Sequence, residues 1–159
     1  MNMNENSRYK KGHFLKIIAT FPELLKKLED SDSYERDTLP AKLTQGIYVF
    51  YENGNPLYVG RCGREGRFKQ RILEHSRPSS GHNTATFAYL IAQQNSQNKK
   101  DLEKSRKENE KDPKFIEAKE RVSKMQIKVI EIKDPVTQTL FEVYSALELN
   151  TPFNEWGTH

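Results

Sequence analysis

With 159 residues, 35% of them apolar and 30% charged, the chain has length for one domain with one core, and part of it stays solvated. A formal net charge of +4 is compatible with a polyanionic partner but too small to demand one. Cys62 is the only cysteine, which excludes an internal disulfide and a cysteine-rich zinc site. The start, Met1-Asn2-Met3-Asn4-Glu5-Asn6, lacks a hydrophobic signal region, and no stretch approaches the ~20 apolar residues of a membrane helix. The expectation is a soluble, intracellular protein of the cytoplasm.

Residues 1–12 are polar. From Phe14 to Leu28 apolar residues recur at three- and four-residue steps, which predicts an amphipathic helix or two, with Pro22 as a break or first-turn residue. Ser31-Asp32-Ser33 reads as a linker. Two strands follow, Gly46–Tyr51 and Leu57–Gly60, joined through Asn53-Gly54, a strong hairpin signal. A plain two-residue turn pairs Tyr48 with Val59 and sends Tyr48 and Tyr58 to opposite faces. An odd-length loop or a bulge near Pro56 sets the two tyrosines directly opposite on one face, and that arrangement is expected here.

Gly63 to Gly66 reads as a loop, Arg67 to Arg77 as a helix ending before Pro78, and Thr86 to Gln94 as a short helix with Phe87, Leu90 and Ile91 inward. Residues 95–124 hold few large apolar residues, so a protruding helical pair broken at Asp112-Pro113 or a partly disordered loop is expected. Met125 to Ile132 reads as a mostly buried strand. Asp134-Pro135 opens a helix to about Leu149, whose expected core stripe is Leu140, Val143, Tyr144 and Leu147, with Glu142 off it. The order αββααβα around a small three-stranded antiparallel sheet is an α+β fold. Residues 1–43 form an N-terminal helical extension, and 44–159 form the main domain, carrying a charged insertion at about 95–124.

Candidate functional residues fall in four separated pieces: Gly46-Ile47-Tyr48, Tyr58-Val59-Gly60, Arg71 with His75, and Glu142 with Asn154. Each alone has a plain structural reading: strand tyrosines pack well, a basic helix face is solvated, and a single Glu is usually exposed. Arg67, Arg71 and His75 lie four residues apart on one helical ridge. Between Arg61 and Arg77 stand six Lys or Arg against two Glu, a local excess that suits phosphate contacts. Between Lys99 and Lys124, ten basic residues face seven acidic ones, a mixed surface with a DNA-clamping role as the lesser reading.

Taken in order and spacing, these pieces resemble the GIY-YIG nuclease family. Nine residues separate the two tyrosines, and the segment Arg71-Ile72-Leu73-Glu74-His75 matches the family's Arg-apolar-x-x-His helix. Glu142 stands twelve positions before Asn154 in Thr-Pro-Phe-Asn, like the family's closing glutamate and Pro-x-aromatic-Asn segment. The loop Cys62 to Gly66 is about three residues longer than in the shortest relatives, which leaves Arg67 as the fallback for Arg71.

The resemblance implies hydrolysis of DNA by water with one Mg²⁺ or Mn²⁺ held by Glu142. Catalytic roles fall to Tyr48, Tyr58, Arg71, His75 and Glu142, and substrate contacts to Arg61, Arg67 and Asn154, the last holding a loop or a phosphate rather than doing chemistry. Tyr48 activates the water, and cationic neighbours such as Arg61 or the metal favour its phenolate. His75 bonds Tyr48 or shares its proton, and Arg71 stabilises the charge at phosphorus. The implied setting is restriction, defence or a mobile element, with nucleic acid as partner, no membrane, and a homodimer or partner protein left open. The competing classes are a non-catalytic nucleic-acid-binding module of the same fold and a structure-selective repair or RNA nuclease.

Overall fold

The computed structural model describes residues 10–95 and 111–156. Helices α1 (His13–Ile18) and α2 (Phe21–Glu29) open the chain, and Pro22 sits in the first turn of α2, where its missing N–H costs nothing. Strands β1 (Gly46–Glu52) and β2 (Asn55–Cys62) form the hairpin. Then come α3 (Phe68–Glu74), α4 (Thr86–Gln94), α5 (Pro113–Ser123), β3 (Gln126–Glu131) and α6 (Pro135–Glu148). The sheet is antiparallel with β1 in the centre, in the order β2-β1-β3. The fold is α+β, as expected; the N-terminal segment forms two helices, the second of the readings allowed for it, and α5 begins at the expected break at Asp112-Pro113.

Asn53 and Gly54 both have positive φ, 52° and 79°, the pair of left-handed residues that closes a hairpin with the native strand twist. A bulge then shifts the register: Tyr51 faces Pro56 while Phe50 faces Tyr58, leaving Leu57 as the extra residue. One extra residue flips the parity, so Tyr48 and Tyr58 share a face. The expectation that they stand directly opposite is corrected, because Tyr48 pairs with Gly60 and Tyr58 is its diagonal neighbour. An ideal Cβ at residue 60 would collide with the ring of Tyr48, so only glycine allows the tyrosine to lie across β2.

Alternation along β1 divides the interior into two cores. Tyr48 and Phe50 point to α3, α4 and α5, where Phe68, Ile72, Phe87, Ile91, Phe115 and Val122 are all buried. Ile47 and Val49, with Val59 of β2, point to α1, α2 and α6 and pack with Phe21, Leu28 and Phe141. Helices α1 and α2 therefore complete the second core, while Leu39, with Tyr34 and Leu43, belongs to the first.

Three elements depart from the sequence reading. The helix expected over 67–77 is shorter, with Arg67 and His75 as its caps. Of the charged segment 95–124, residues 96–110 lie outside the described residues, but 113–123 is a packed helix. Phe115, Ala118 and Val122 recur at three and four residues and lie 0–3% exposed, while Lys119 sends Nζ to the carbonyls of Pro78 and Ser80. On α6 the buried residues are Gln138, Phe141, Ser145 and Ala146. The expected stripe is displaced, leaving Val143 36% and Leu147 63% exposed beside Phe14. That rotation turns Glu142 toward β2.

Both sheet edges are covered by segments outside the strands. Tyr34 exchanges two backbone hydrogen bonds of 2.8 Å with Ile127 on β3. On β2, the Asn154 amide accepts from Val59 N–H at 2.9 Å and donates to Val59 C=O at 2.8 Å, imitating a neighbouring strand.

Candidate active site

The Tyr48 ring is 1% exposed and its hydroxyl lies 2.7 Å from Nε2 of His75, itself 0% exposed at the C-cap of α3. His75 sits among the rings of Tyr48, Phe50 and Tyr58, at centroid distances of 5.4–5.5 Å. Tyr58 stacks on Phe87 at 4.8 Å and 9°. Burial in this aromatic cage, helped by the Arg71 charge, holds the imidazole well below its ordinary pKa, so His75 is neutral. Burial likewise raises the Tyr48 hydroxyl well above 10, and Tyr58 is pushed up to about 12. The site therefore presents two protonated phenols and a neutral imidazole.

That finding corrects the expectation that Arg61 is the cation favouring the Tyr48 phenolate. Desolvation is the largest influence on Tyr48, and the cation opposing it is Arg71, not Arg61. Arg61 follows Gly60 on β2 and so points to the other face, where its Nε pairs with Glu142 Oε2 at 2.9 Å. Burial raises the Glu142 carboxyl above its usual range against the opposing pull of Arg61 and Arg71. Glu142 in turn acts on both Tyr58 and Tyr48. Tyr48, Tyr58, His75, Arg71 and Glu142 thus converge electrostatically from β1, β2, α3 and α6.

Arg71 is anchored from behind. Its Nη1 donates to the Thr84 carbonyl at 2.6 Å and lies 3.3 Å from Glu74 Oε2. The other oxygen of Glu74 takes Nη2 of Arg67 at 2.6 Å. Arg67 is therefore tethered, not a loose solvated cation. Glu74, a residue the motif reading passed over, organises both arginines. Its spacing held the signal: three residues from Arg71 and seven from Arg67 place it on their helical stripe.

Asn154, expected to hold a loop or a phosphate, has its amide committed to Val59 and accepts from Thr151 Oγ1 at 2.7 Å, so it ties the tail to β2. Gly60 was quoted in the sequence motif, but its role as the seat of the Tyr48 ring needed the register. Among the described residues, no three of His, Cys, Asp and Glu gather as a metal cluster. Glu142, whose charge acts on both tyrosines, is a carboxylate that could anchor a single Mg²⁺, an ion that keeps several waters.

No helix among the described residues is long and apolar enough to cross a membrane. Compared with known proteins, the chain matches no family model, no curated protein and no solved structure.

Proposed function

We propose that this chain is a metal-dependent endonuclease of the GIY-YIG type that hydrolyses phosphodiester bonds of DNA. The observation that carries this reading is the buried Tyr48–His75 hydrogen bond of 2.7 Å beneath Gly60, coupled to Arg71 and Glu142 from separate elements. A purely structural tyrosine needs a partner for its hydroxyl. It does not need a neutral imidazole, an anchored guanidinium and a carboxylate arranged around the same group.

His75 Nε2 is placed to receive the Tyr48 proton as Tyr48 takes one from the attacking water. In the free protein, moving the Tyr48 proton to His75 without a proton from water is uphill, because it creates a buried phenolate and imidazolium. Arg71, rigidly held by Thr84 and Glu74, offers its remaining N–H donors to the phosphate and stabilises charge there. Glu142 would hold the metal, which supplies positive charge to polarise the phosphate and acidify its bound water. For that, Arg61 must leave Glu142. With its side chain 41% exposed, Arg61 has room to turn toward the nucleic acid.

The same resting state favours one alternative, a binding module with an idle site, since Tyr48 is protonated and Glu142 is occupied by Arg61. Cleavage of plasmid, linear duplex, single-stranded DNA and RNA with Mg²⁺ or Mn²⁺ separates the two. The nuclease reading expects cutting that is lost in Glu142→Ala and Arg71→Ala. Absence of cutting by wild type on every substrate, with salt-sensitive binding intact, favours the binding module.

A further inference from the structure

Beside Arg71 lies a cavity of about 330 Å³ lined by Arg64, Arg67, Arg71, Glu74, Asn83 and Thr84 among others. Three arginines face one glutamate there, and that glutamate is spent on two of them. Glu74 is 9% exposed and fixes the guanidinia of Arg67 and Arg71 without neutralising the site. Each tethered arginine uses one nitrogen of a five-donor fork, so donors remain on both. Arg64 is exposed on the preceding loop, and its guanidinium has no partner among the described residues. Its backbone carbonyl is engaged by Cys62 Sγ, which holds the loop against the cavity.

A hole with net positive lining, organised by a buried carboxylate, is built for an anion. Its size is at the small end of ligand pockets, roughly 300–1,000 Å³, which suits one phosphate with part of its sugar rather than a base pair. Arg71 belongs both to this cavity and to the group around Tyr48, so an occupant is continuous with whatever lies at the candidate active site.

We infer that this cavity is a second phosphate subsite, which holds a non-scissile phosphate of the same strand whose neighbouring phosphate lies against Tyr48, Arg71 and Glu142. The inference rests on the nuclease reading for the identity of the strand, but not for the anion site itself. Arg64 is its free contact and Arg67 its tethered one. Both act on binding and register, outside the chemical step.

The test compares wild type with Arg64→Gln in the full chain, first in binding to a short oligonucleotide across a salt series. Arg64→Gln is expected to weaken binding about five- to tenfold and to lower the slope against log salt by about one. In cleavage it is expected to raise KM while kcat holds. A scan replacing single phosphates with neutral methylphosphonates then locates the contact. Wild type is expected to lose affinity at one non-scissile position to which Arg64→Gln has become indifferent.

Unchanged binding and slope in Arg64→Gln overturn the proposal. So does competition by inorganic phosphate or a mononucleotide as strong as that of the oligonucleotide, which marks a free-phosphate site. If wild type binds with this single-phosphate signature yet cuts no substrate, the subsite stands and the nuclease reading falls.

Discussion

The two faces of β1 bury neighbouring residues to different ends. Ile47 and Val49 lie against Phe21, Leu28 and Phe141, a core of apolar atoms. Tyr48 and Phe50, one step along the same strand, enter a core as well packed but with polar tips: the Tyr48 hydroxyl, the His75 imidazole and the anchored Arg71 beyond. Both faces exclude water, and on both that exclusion raises a tyrosine pKa, that of Tyr51 on one and Tyr48 on the other, but only Tyr48 shares its hydroxyl with a buried imidazole. On β2 the division repeats within two residues, since Gly60 makes space for Tyr48 while Arg61 reaches Glu142 on the other side. The comparison teaches that burial is common to both faces, and that the chemistry depends on what the buried groups can exchange.

Gly60→Ala should break the comparison most severely. Its Cβ has no room beside the Tyr48 ring, and the obstacle is a side chain that is itself fully packed. Overpacking of this kind costs about 1–3 kcal/mol, and the displaced hydroxyl leaves His75. Loss of cleavage by more than about a hundredfold is expected, beside a lowered urea midpoint. Ile47→Val is the control on the opposite face. It should cost about 1 kcal/mol in the same denaturation experiment and leave kcat unchanged. Equal activity losses in the two variants would show that the faces are not functionally distinct.

Tyr48→Phe isolates the polar tip. The ring volume stays and the hydrogen bond to His75 is lost, leaving a buried nitrogen unpaired at a cost of about 1–3 kcal/mol. Single-turnover cleavage should fall by roughly 10²–10⁴, the range of a lost general base. Cleavage near the wild-type rate in this variant would remove Tyr48 from the chemistry and leave it a core residue.

How much of this was legible in the chain varies by element. The hairpin, α4 and the Asp134-Pro135 helix start were readable because turn chemistry and capping are local: Asn53-Gly54 needs two left-handed residues, and Asp134 Oδ2 accepts from Thr137 N–H. The shared face of Tyr48 and Tyr58 followed from requiring a bulge, but the diagonal offset did not, since register depends on which residue is extruded. The stripe of α6 was half misread: Leu140 and Tyr144 pack against the core, but Val143 and Leu147, equally apolar and regularly spaced, stay exposed. The neighbouring helices instead select the face with Phe141 and the small Ser145 and Ala146, which admit close approach. For α5 a helix starting at Asp112-Pro113 was one of two readings, but its packing was not legible, because charges hide a Phe115–Ala118–Val122 stripe that buries even Lys119. Of the candidate site, residue types were legible from the motif, while partners were not. The Glu74 clamp, the Asn154 edge cap and the Arg61–Glu142 pair are all meetings made by tertiary structure.

The neutral His75 gives the polar-tipped face a pH signature that the apolar face lacks. Its folded pKa lies well below the ordinary value, so the unfolded chain takes up the proton first on acidification. Stability conferred by keeping it neutral is present above the unfolded pKa of ~6.5 and declines as pH falls below it, by up to ~1.4 kcal/mol per pH unit. Urea midpoints of wild type should therefore drop between pH 6.5 and 5. His75→Phe should flatten that slope while being less stable at pH 7.5. An unchanged slope in the variant would assign the acid sensitivity to other groups.

Arg61→Gln tests the ion pair between β2 and α6, with the smallest expected effect. Arg61 is the first of the charges that pull the Glu142 carboxyl down against burial. Removing it leaves burial less opposed, so the Glu142 pKa rises further. Cleavage that needs the carboxylate is lost as pH falls through that pKa, and its acid limb should therefore move to higher pH in the variant. Above the limb the opposite holds, because the carboxylate no longer has to release a guanidinium before it takes a metal. An exchange of this kind at a partly exposed pair is worth under about 1 kcal/mol, so the Mg²⁺ concentration for half-maximal cutting should fall about two- to fivefold. Opposite shifts on the two sides of the limb are the signature of Arg61 acting as a displaceable counter-ion. A uniform rise in the Mg²⁺ requirement at every pH would instead make Arg61 a contact to the nucleic acid.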